Sequence, residues 1–362
     1  MKFFDLQAQK TRLEPLLGTR INSVMEHGKF IQGPEVFELE EKLQEFTGVN
    51  YCITCGNGTD AIQVALMALN IGPGDEVITP GFSYIAVAEA IKLLGAVPVY
   101  VDVEADTYNL SVQAVEAAIT ERTRAIAPVS LFGQCADYDD LNKLAHRYGL
   151  PVIEDAAQSF GATYFGKKSC NLTTIACTSF FPTKPLGCFG DGGAIFTNDK
   201  ELAERLRCIS KHGQERRYEH VEIGINSRLD TLQAAVLLSK IEILEDEIQS
   251  RNEIAGMYSS AISDAKRNDI VAPTIRAHNI SAWAQYTIAC SDRDGVSARL
   301  TERGIPFAVH YPKAIFEQKA YLDPTETCSV SVDVAKKVLS LPCHPYLTQS
   351  EIEAVIDAVI GE

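Results

Sequence analysis

From Tyr51 to Phe180 the chain alternates short apolar runs rich in Val, Ile, Thr and Tyr with longer stretches in which apolar residues recur at helical spacing. Runs of the first kind suit strands and those of the second suit core-facing helices, so their alternation predicts βαβ units and a mostly parallel sheet. Strands are expected at 51–55, 76–79, 97–101, 125–129, 152–155 and 175–180, with helices at 59–69 and 83–94 among the connections. Gly and Pro punctuate the pattern at Gly72-Pro73-Gly74, Pro80-Gly81, Gly149-Leu150-Pro151 and Gly190-Asp191-Gly192-Gly193. Further on, apolar residues at Leu229, Leu232, Val236, Leu237, Ile241 and Leu244 predict one long core-facing helix over 229–248. A new mixture of helices and short strands follows, with a strand around Trp283-Ala284-Gln285-Tyr286-Thr287-Ile288 and a last helix over 350–360, opened by Ser350 ahead of two Glu residues.

Length turns this pattern into an expected organisation. A chain of 362 residues exceeds what one hydrophobic core usually organises. Two domains are therefore expected: a large one over 1–249, including an N-terminal arm, and a smaller C-terminal α/β domain over 250–362. The formal net charge of −15 disfavours a general nucleic-acid binder, which needs a basic face to neutralise phosphates. No run approaches the ~18 apolar residues of a membrane helix. At the N-terminus, Met1-Lys2-Phe3-Phe4-Asp5 meets an acid before any apolar signal core develops, so a cytoplasmic protein with no membrane partner is expected. The ten cysteines are scattered, and reduced thiols in core positions suit them better than disulfides. Cys52 and Cys55 form a CxxC, but no second CxxC or spaced His pair accompanies it; a strand ending at Gly56 accounts for them, and no metal is expected.

Three places along the predicted sheet carry candidate chemistry. The turn Gly56-Asn57-Gly58-Thr59-Asp60 leads from a strand into a helix, where backbone amides and the helix N-terminus suit an anion. It has neither the Walker nor the GxGxxG spacing, and a plain tight turn accounts for it equally well. The strand ending Val152-Ile153-Glu154-Asp155-Ala156-Ala157-Gln158 puts Asp155 at the carboxyl edge of the sheet, where ligands gather in open α/β folds; two acids there could also simply cap the next element. In Thr178-Ser179-Phe180-Phe181-Pro182-Thr183-Lys184-Pro185-Leu186-Gly187 a lysine is hemmed in by apolar residues and prolines. Desolvation lowers a lysine's pKa and enlarges its neutral, nucleophilic fraction, as imine chemistry requires, although a snorkelling surface lysine fits the same residues. Together the turn, the acid and the amine match the three contacts that pyridoxal phosphate needs: phosphate, pyridine nitrogen and aldehyde carbon.

The chain also resembles the DegT/DnrJ/EryC1/StrS family of sugar aminotransferases over nearly its whole length. The resemblance rests on ordered matches at Phe3, Asp5 and Leu6, at Phe30-Ile31-Gln32-Gly33-Pro34, Gly58-Thr59-Asp60-Ala61, Gly72-Pro73-Gly74-Asp75-Glu76-Val77, Glu154-Asp155-Ala156-Ala157-Gln158, Ser179-Phe180-Phe181-Pro182-Thr183-Lys184, Gly190-Asp191-Gly192-Gly193, Gly224-Ile225-Asn226-Ser227-Arg228 and His310-Tyr311-Pro312. It implies the aspartate-aminotransferase (type I) PLP-dependent transferase fold and pyridoxal 5'-phosphate as cofactor. Lys184 would bond the cofactor and shuttle the proton, and a lysine here, where the family's dehydratases carry His, favours amino transfer. Asp155 would keep the pyridine nitrogen protonated. Gln158 would hydrogen-bond the phenolic oxygen, and Phe82 would stack on the ring; a polar helix surface and a core aromatic are the plainer roles for these two. The amides of Gly58 and Thr59 with the Ser179 hydroxyl would hold the phosphate, unless Thr59 only caps its helix.

By the same resemblance, Asn226 and Arg228 reach into a neighbouring subunit's site, Asn226 to phosphate and Arg228 towards substrate, which implies a homodimer with shared active sites. An interface salt bridge would equally suit Arg228. His310 and Tyr311 match the sugar-contacting pair, or pack at the site's mouth. The basic stretch 211–218 suits a nucleotide diphosphate or a sugar carboxylate, and equally a solvated charge run. Two departures stand out: Tyr311-Pro312-Lys313-Ala314-Ile315-Phe316 replaces the family's Tyr-Pro-x-Pro-Leu-His, and Ser159 stands where many members have His. With Gln158-Ser159-Phe160-Gly161, the second resembles the subgroup that aminates UDP-2-acetamido-2-deoxy-3-oxo-glucuronate at C3, with L-glutamate as donor, for bacterial surface polysaccharide (O-antigen). The alternatives are a 4-aminotransferase for a UDP- or dTDP-4-keto-6-deoxy sugar and a cofactor-binding regulatory protein without turnover.

Overall fold

The computed structural model describes residues 1–323 and 327–361; residues 324–326 and 362 of the expected C-terminal domain lie outside the described residues. Seven strands form its central sheet: β1 (Tyr51–Cys55), β2 (Glu76–Pro80), β3 (Val97–Val101), β4 (Thr123–Ile126), β5 (Ile153–Asp155), β6 (Ile175–Ser179) and β7 (Gly193–Thr197). β3, β2 and β4 pair in parallel, and the bridges Ile126–Val152 and Val129–Asp155 continue the parallel order into β5 and then β6. β7 runs antiparallel between β6 and β1. The spatial order is therefore β3-β2-β4-β5-β6-β7-β1, with every strand but β7 pointing the same way.

The antiparallel strand was not expected from the sequence, where 190–193 reads only as a glycine turn. All five residues of β7 are buried, and a short run buried on both faces carries no alternation to betray it. Its register has a consequence for the site. Gly193 pairs with Cys55 on one side and with Ser179 on the other, so the turn after β1 and the loop after β6 leave the sheet side by side.

The segment after β1 becomes a helix, Gly58–Ala68, because Asn57 caps it: its side-chain oxygen accepts the Asp60 N–H at 2.8 Å. Ala61, Ile62, Val64, Ala65, Leu66 and Ala68 are buried, as befits a helix covered by sheet and neighbouring helices. The expected helix at 83–94 spans Ala86–Leu93.

The single helix expected over 229–248 is corrected. Thr231–Lys240 is helical, a 3-10 turn occupies Ile241–Ile243, and a second helix runs over Leu244–Asp264. Apolar spacing hides the break because a 3-10 turn keeps the helical hand and nearly the same period. Leu244 and Ile248 pack with the large core around Phe160, Phe180 and Leu237, whereas Ile254, Ala255, Tyr258 and Ile262 pack in a second core. That second core lies against the antiparallel pair Tyr286–Cys290 and Val338–Leu341, with Leu300, Val355 and Val359. The last helix, Gln349–Ile360, is capped by Thr348 and not by Ser350: Thr348 Oγ1 accepts the Glu351 N–H at 3.3 Å and the Glu351 carboxylate accepts the Thr348 N–H at 2.9 Å, a reciprocal capping box. Among the described residues no helix is long and apolar enough to cross a membrane, and no two cysteines are joined in a disulfide.

Candidate active site

At the carboxyl edge of the sheet, a cavity of about 450 Å³ opens between the ends of β1, β5 and β6. Eight of the expected site residues line it: Gly58, Thr59, Asp155, Gln158, Ser179, Lys184, His310 and Tyr311. Gly58 is confined to glycine, since a Cβ there would lie 2.6 Å from the Ser179 Cβ. This close approach leaves the amides that open the Gly58–Ala68 helix beside the Ser179 hydroxyl, an arrangement suited to a phosphate. Thr59 is not the helix cap, a role that Asn57 fills.

Asp155 sits across the cavity, buried at the end of β5, with Oδ1 accepting the Ala157 N–H at 2.9 Å. Burial raises its pKa, opposed by that hydrogen bond and by the charge of Lys184. Glu154, one residue earlier, points to the other face of the strand. There it accepts from Ser169 Oγ at 2.7 Å, the Cys170 N–H at 3.0 Å and Ser130 Oγ at 3.3 Å, and burial raises its pKa to about 7. Of the two adjacent acids, only Asp155 faces the cavity.

Lys184 is held in a tight loop in which its own N–H donates to Phe181 O at 2.9 Å and the Cys188 N–H donates to Phe180 O at 2.8 Å. The side chain is half-buried. Desolvation lowers the pKa of its amine, and the Asp155 carboxylate opposes that shift. Gln158 is buried off any helix surface: its Oε1 accepts the Phe132 N–H at 2.7 Å and its Nε2 donates to Tyr311 Oη at 3.2 Å. His310 bonds Ser340 Oγ through Nδ1 at 2.9 Å; burial, and then the Lys184 charge, lower its pKa.

Pyridoxal phosphate fits these residues. The cavity offers an anion cradle at Gly58, Thr59 and Ser179, a desolvated amine, and a buried carboxylate that gains from a cationic ring nitrogen.

Three expected residues lie elsewhere. Phe82 is completely buried, its ring 6.3 Å from Tyr108 and Tyr311 and 6.5 Å from Phe132, and it is not among the residues lining the cavity. Tyr84, two residues on, lines the wall instead, with its ring 5.9 Å from Tyr311. Asn226 is exposed and Arg228 half-buried, and neither lines the cavity of its own chain. The basic stretch 211–218 carries the strand Gln214–Arg216, which pairs in a hairpin with Glu219–His220 just beyond it, and Arg216, Arg217 and Tyr218 are turned to solvent.

Asn57, Tyr84 and Gln285 line the cavity without having been expected there. Asn57 could have been found from its N-cap spacing to Asp60; nothing in the sequence distinguishes Gln285 from an ordinary strand residue.

The DegT/DnrJ/EryC1/StrS aminotransferase family model matches residues 15–360. A curated protein named UDP-2-acetamido-2-deoxy-3-oxo-D-glucuronate aminotransferase, from Pseudomonas aeruginosa, is 55% identical over 99% of this chain and 99% of its own. The crystal structure of a DegT DnrJ EryC1 StrS aminotransferase from Brucella abortus matches with a TM-score of 0.96 at 46% identity, covering 100% of this chain and 99% of that one. The structure of NtdA from Bacillus subtilis, with bound cofactor PMP, gives a TM-score of 0.91 at 30% identity over 99% of this chain and 83% of that one. The expected type I fold is the fold of this chain.

Proposed function

Because the chain belongs to the DegT/DnrJ/EryC1/StrS aminotransferase family, we propose that it moves an amino group from L-glutamate to C3 of UDP-2-acetamido-2-deoxy-3-oxo-glucuronate. It is a sugar aminotransferase that works with pyridoxal phosphate. The choice of sugar rests on the near-complete match to the Pseudomonas aeruginosa enzyme. The observation that carries the chemistry is the Lys184 amine desolvated in one cavity with the buried Asp155 carboxylate.

When bound, pyridoxal phosphate supplies a carbonyl carbon for amine exchange and an electron-poor ring that accepts the electron pair left by proton removal. The Gly58 and Thr59 amides and the Ser179 hydroxyl hold its phosphate. Asp155 would face the ring nitrogen, whose positive charge when protonated would favour the ionised carboxylate. Gln158, fixed by the Phe132 N–H, directs its amide at the phenolic oxygen. Tyr84 would flank the ring at the wall, and Phe82, behind that wall, packs near Tyr311. Lys184 carries the proton, taking it from the α-carbon of glutamate in the first half-reaction and returning one at C3 of the sugar in the second; desolvation, which lowers its pKa, enlarges the neutral fraction available as a base.

The uronate carboxylate needs a cationic partner. Burial keeps His310 neutral, so Arg228 from a second copy of the chain, with Asn226 at the phosphate, is the partner we assign in a homodimer with shared sites. The division into 1–249 and 250–362, a cytoplasmic location and a role in O-antigen synthesis belong to the same proposal.

The test is an assay of the purified, cofactor-loaded protein with L-glutamate and a panel of keto sugar nucleotides, read by product mass and NMR. A 3-amino uronate is expected. An amino sugar formed only from the 4-keto-6-deoxy substrates would replace this substrate, and glutamate leaving the cofactor absorbance unchanged would leave a binding protein without turnover.

A further inference from the structure

Two loops cross behind the C-terminal wall of the cavity, and their backbone is unusual. Phe132 and Gly133 in one, and Trp283 in the other, have φ of 58°, 118° and 47°. Left-handed conformations are costly for aromatic residues and persist only where the surroundings enforce them, often at a functional site. Here the crossing itself enforces them. The Ala282 N–H donates to Gly133 O at 2.9 Å and the Gln285 N–H to Phe132 O at 3.3 Å. The approach is so close that a Cβ on Gly133 would lie 2.4 Å from the Trp283 nitrogen.

The crossing presents two glutamines to one cavity. Gln158 has its oxygen satisfied by the Phe132 N–H and one of its two amide N–H groups donating to Tyr311. Gln285 differs: its Oε1 is buried and has no hydrogen-bond partner. A buried amide oxygen left without a donor is unfavourable, and an incoming N–H or O–H that meets it recovers that cost. Phosphate and carboxylate groups bring only acceptors at neutral pH, so neither the cofactor phosphate nor the carboxylates of glutamate satisfy this atom. His310 and Tyr311, from the same third of the chain, line the same cavity.

We infer that Gln285 is a specificity-determining residue whose amide oxygen accepts a hydrogen bond from an N–H or O–H group flanking the reacting carbonyl of the keto sugar. The inference rests on the proposed function, because in a 3-oxo sugar of that class the flanking donors are the C2 acetamido N–H and the C4 hydroxyl. It assigns Gln285 to the sugar half-reaction alone.

The experiment compares the cofactor-loaded wild type with Gln285→Met, which keeps the bulk and removes the amide. The glutamate half-reaction, followed by cofactor absorbance, should stay within about twofold, which also establishes that the variant folds and binds cofactor. The keto-sugar kcat/KM should fall about 10- to 100-fold, and calorimetric affinity for the amino-sugar product should fall in parallel. Two analogues identify the donor: one with acetoxy in place of acetamido at C2, the other 4-deoxy. Wild type should lose a similar factor on one of them, and Gln285→Met should no longer distinguish that analogue from the parent sugar. An unchanged keto-sugar kcat/KM, equal losses in both half-reactions, or analogue selectivity preserved in the variant would overturn the inference. Should wild type reject the 3-oxo uronate but accept another keto sugar, the substrate reading fails, and the same comparison on the accepted sugar decides the role of Gln285.

Discussion

The two walls of the cavity are built differently. The wall formed by Gly58, Thr59, Asp155, Ser179 and Lys184 hangs from the ends of β1, β5 and β6; Gly193 holds β1 and β6 in register, and β5 pairs with β6. The wall formed by Gln285, His310 and Tyr311 comes from loops on the C-terminal core, anchored where His310 meets Ser340 and where Gln285 crosses Phe132. Strand ends fix a side chain through a shared hydrogen-bond ladder, which suits a cofactor that stays bound through both half-reactions. Loops fix it through a few irregular contacts and can vary without disturbing the sheet, which suits a sugar that differs between family members. It follows that damage to the first wall should affect both half-reactions, and damage to the second only the sugar half.

The largest effect is expected at Lys184. Lys184→Ala should lower turnover by about 10⁴-fold or more and abolish the absorbance of bound aldehyde cofactor; steady-state turnover near the wild-type rate would remove Lys184 from the chemistry. Next comes Asp155→Ala, with a fall of about 10²- to 10³-fold in both half-reactions, read by stopped flow. If the glutamate half alone survived, the contrast between the walls would not hold. Gly133→Ala probes the other side. Its Cβ has no room and its backbone is left-handed, so a loss of about 3 kcal/mol in urea unfolding is expected, with keto-sugar kcat/KM falling while the glutamate half-reaction persists in the folded fraction.

A smaller effect separates the neighbours Glu154 and Asp155. Burial holds Glu154 at a pKa of about 7, well above its unfolded value of roughly 4.3. The folded state therefore binds the proton more tightly, so this group's contribution to stability is present below the unfolded value and is lost as pH rises towards 7. Between pH 5 and 7 the wild type should lose about 2 kcal/mol more than Glu154→Gln, measured as urea midpoints at the two pH values; parallel pH profiles would show that this carboxyl is ionised throughout. Smallest is Tyr84→Ala, expected to raise KM about threefold without changing Tm, because the ring is more exposed than buried.

The order of strands along the chain, the carboxyl-edge position of Asp155, the hemmed-in Lys184 and the glycine turn at Gly58 were legible because each depends on residues adjacent in sequence. Periodicity, turn chemistry and a desolvating neighbourhood are local signals. The antiparallel β7 was hidden because burial on both faces erases alternation, and the break at Ile241–Ile243 because a tight turn preserves the apolar period. Asn226 and Arg228 were legible only through the family resemblance, and they lie outside their own chain's cavity.

By itself, then, the sequence determined the parts of the cofactor wall, since these are strand and helix ends whose chemistry is written in runs of a few residues. Tertiary structure alone decided which acid of the Glu154-Asp155 pair faces the cavity, that Tyr84 and not Phe82 lines it, and that Gln285 arrives there with an unpaired oxygen. Each of those outcomes depends on contacts between segments distant in the chain. No local pattern records such contacts, because they exist only once the loops have crossed.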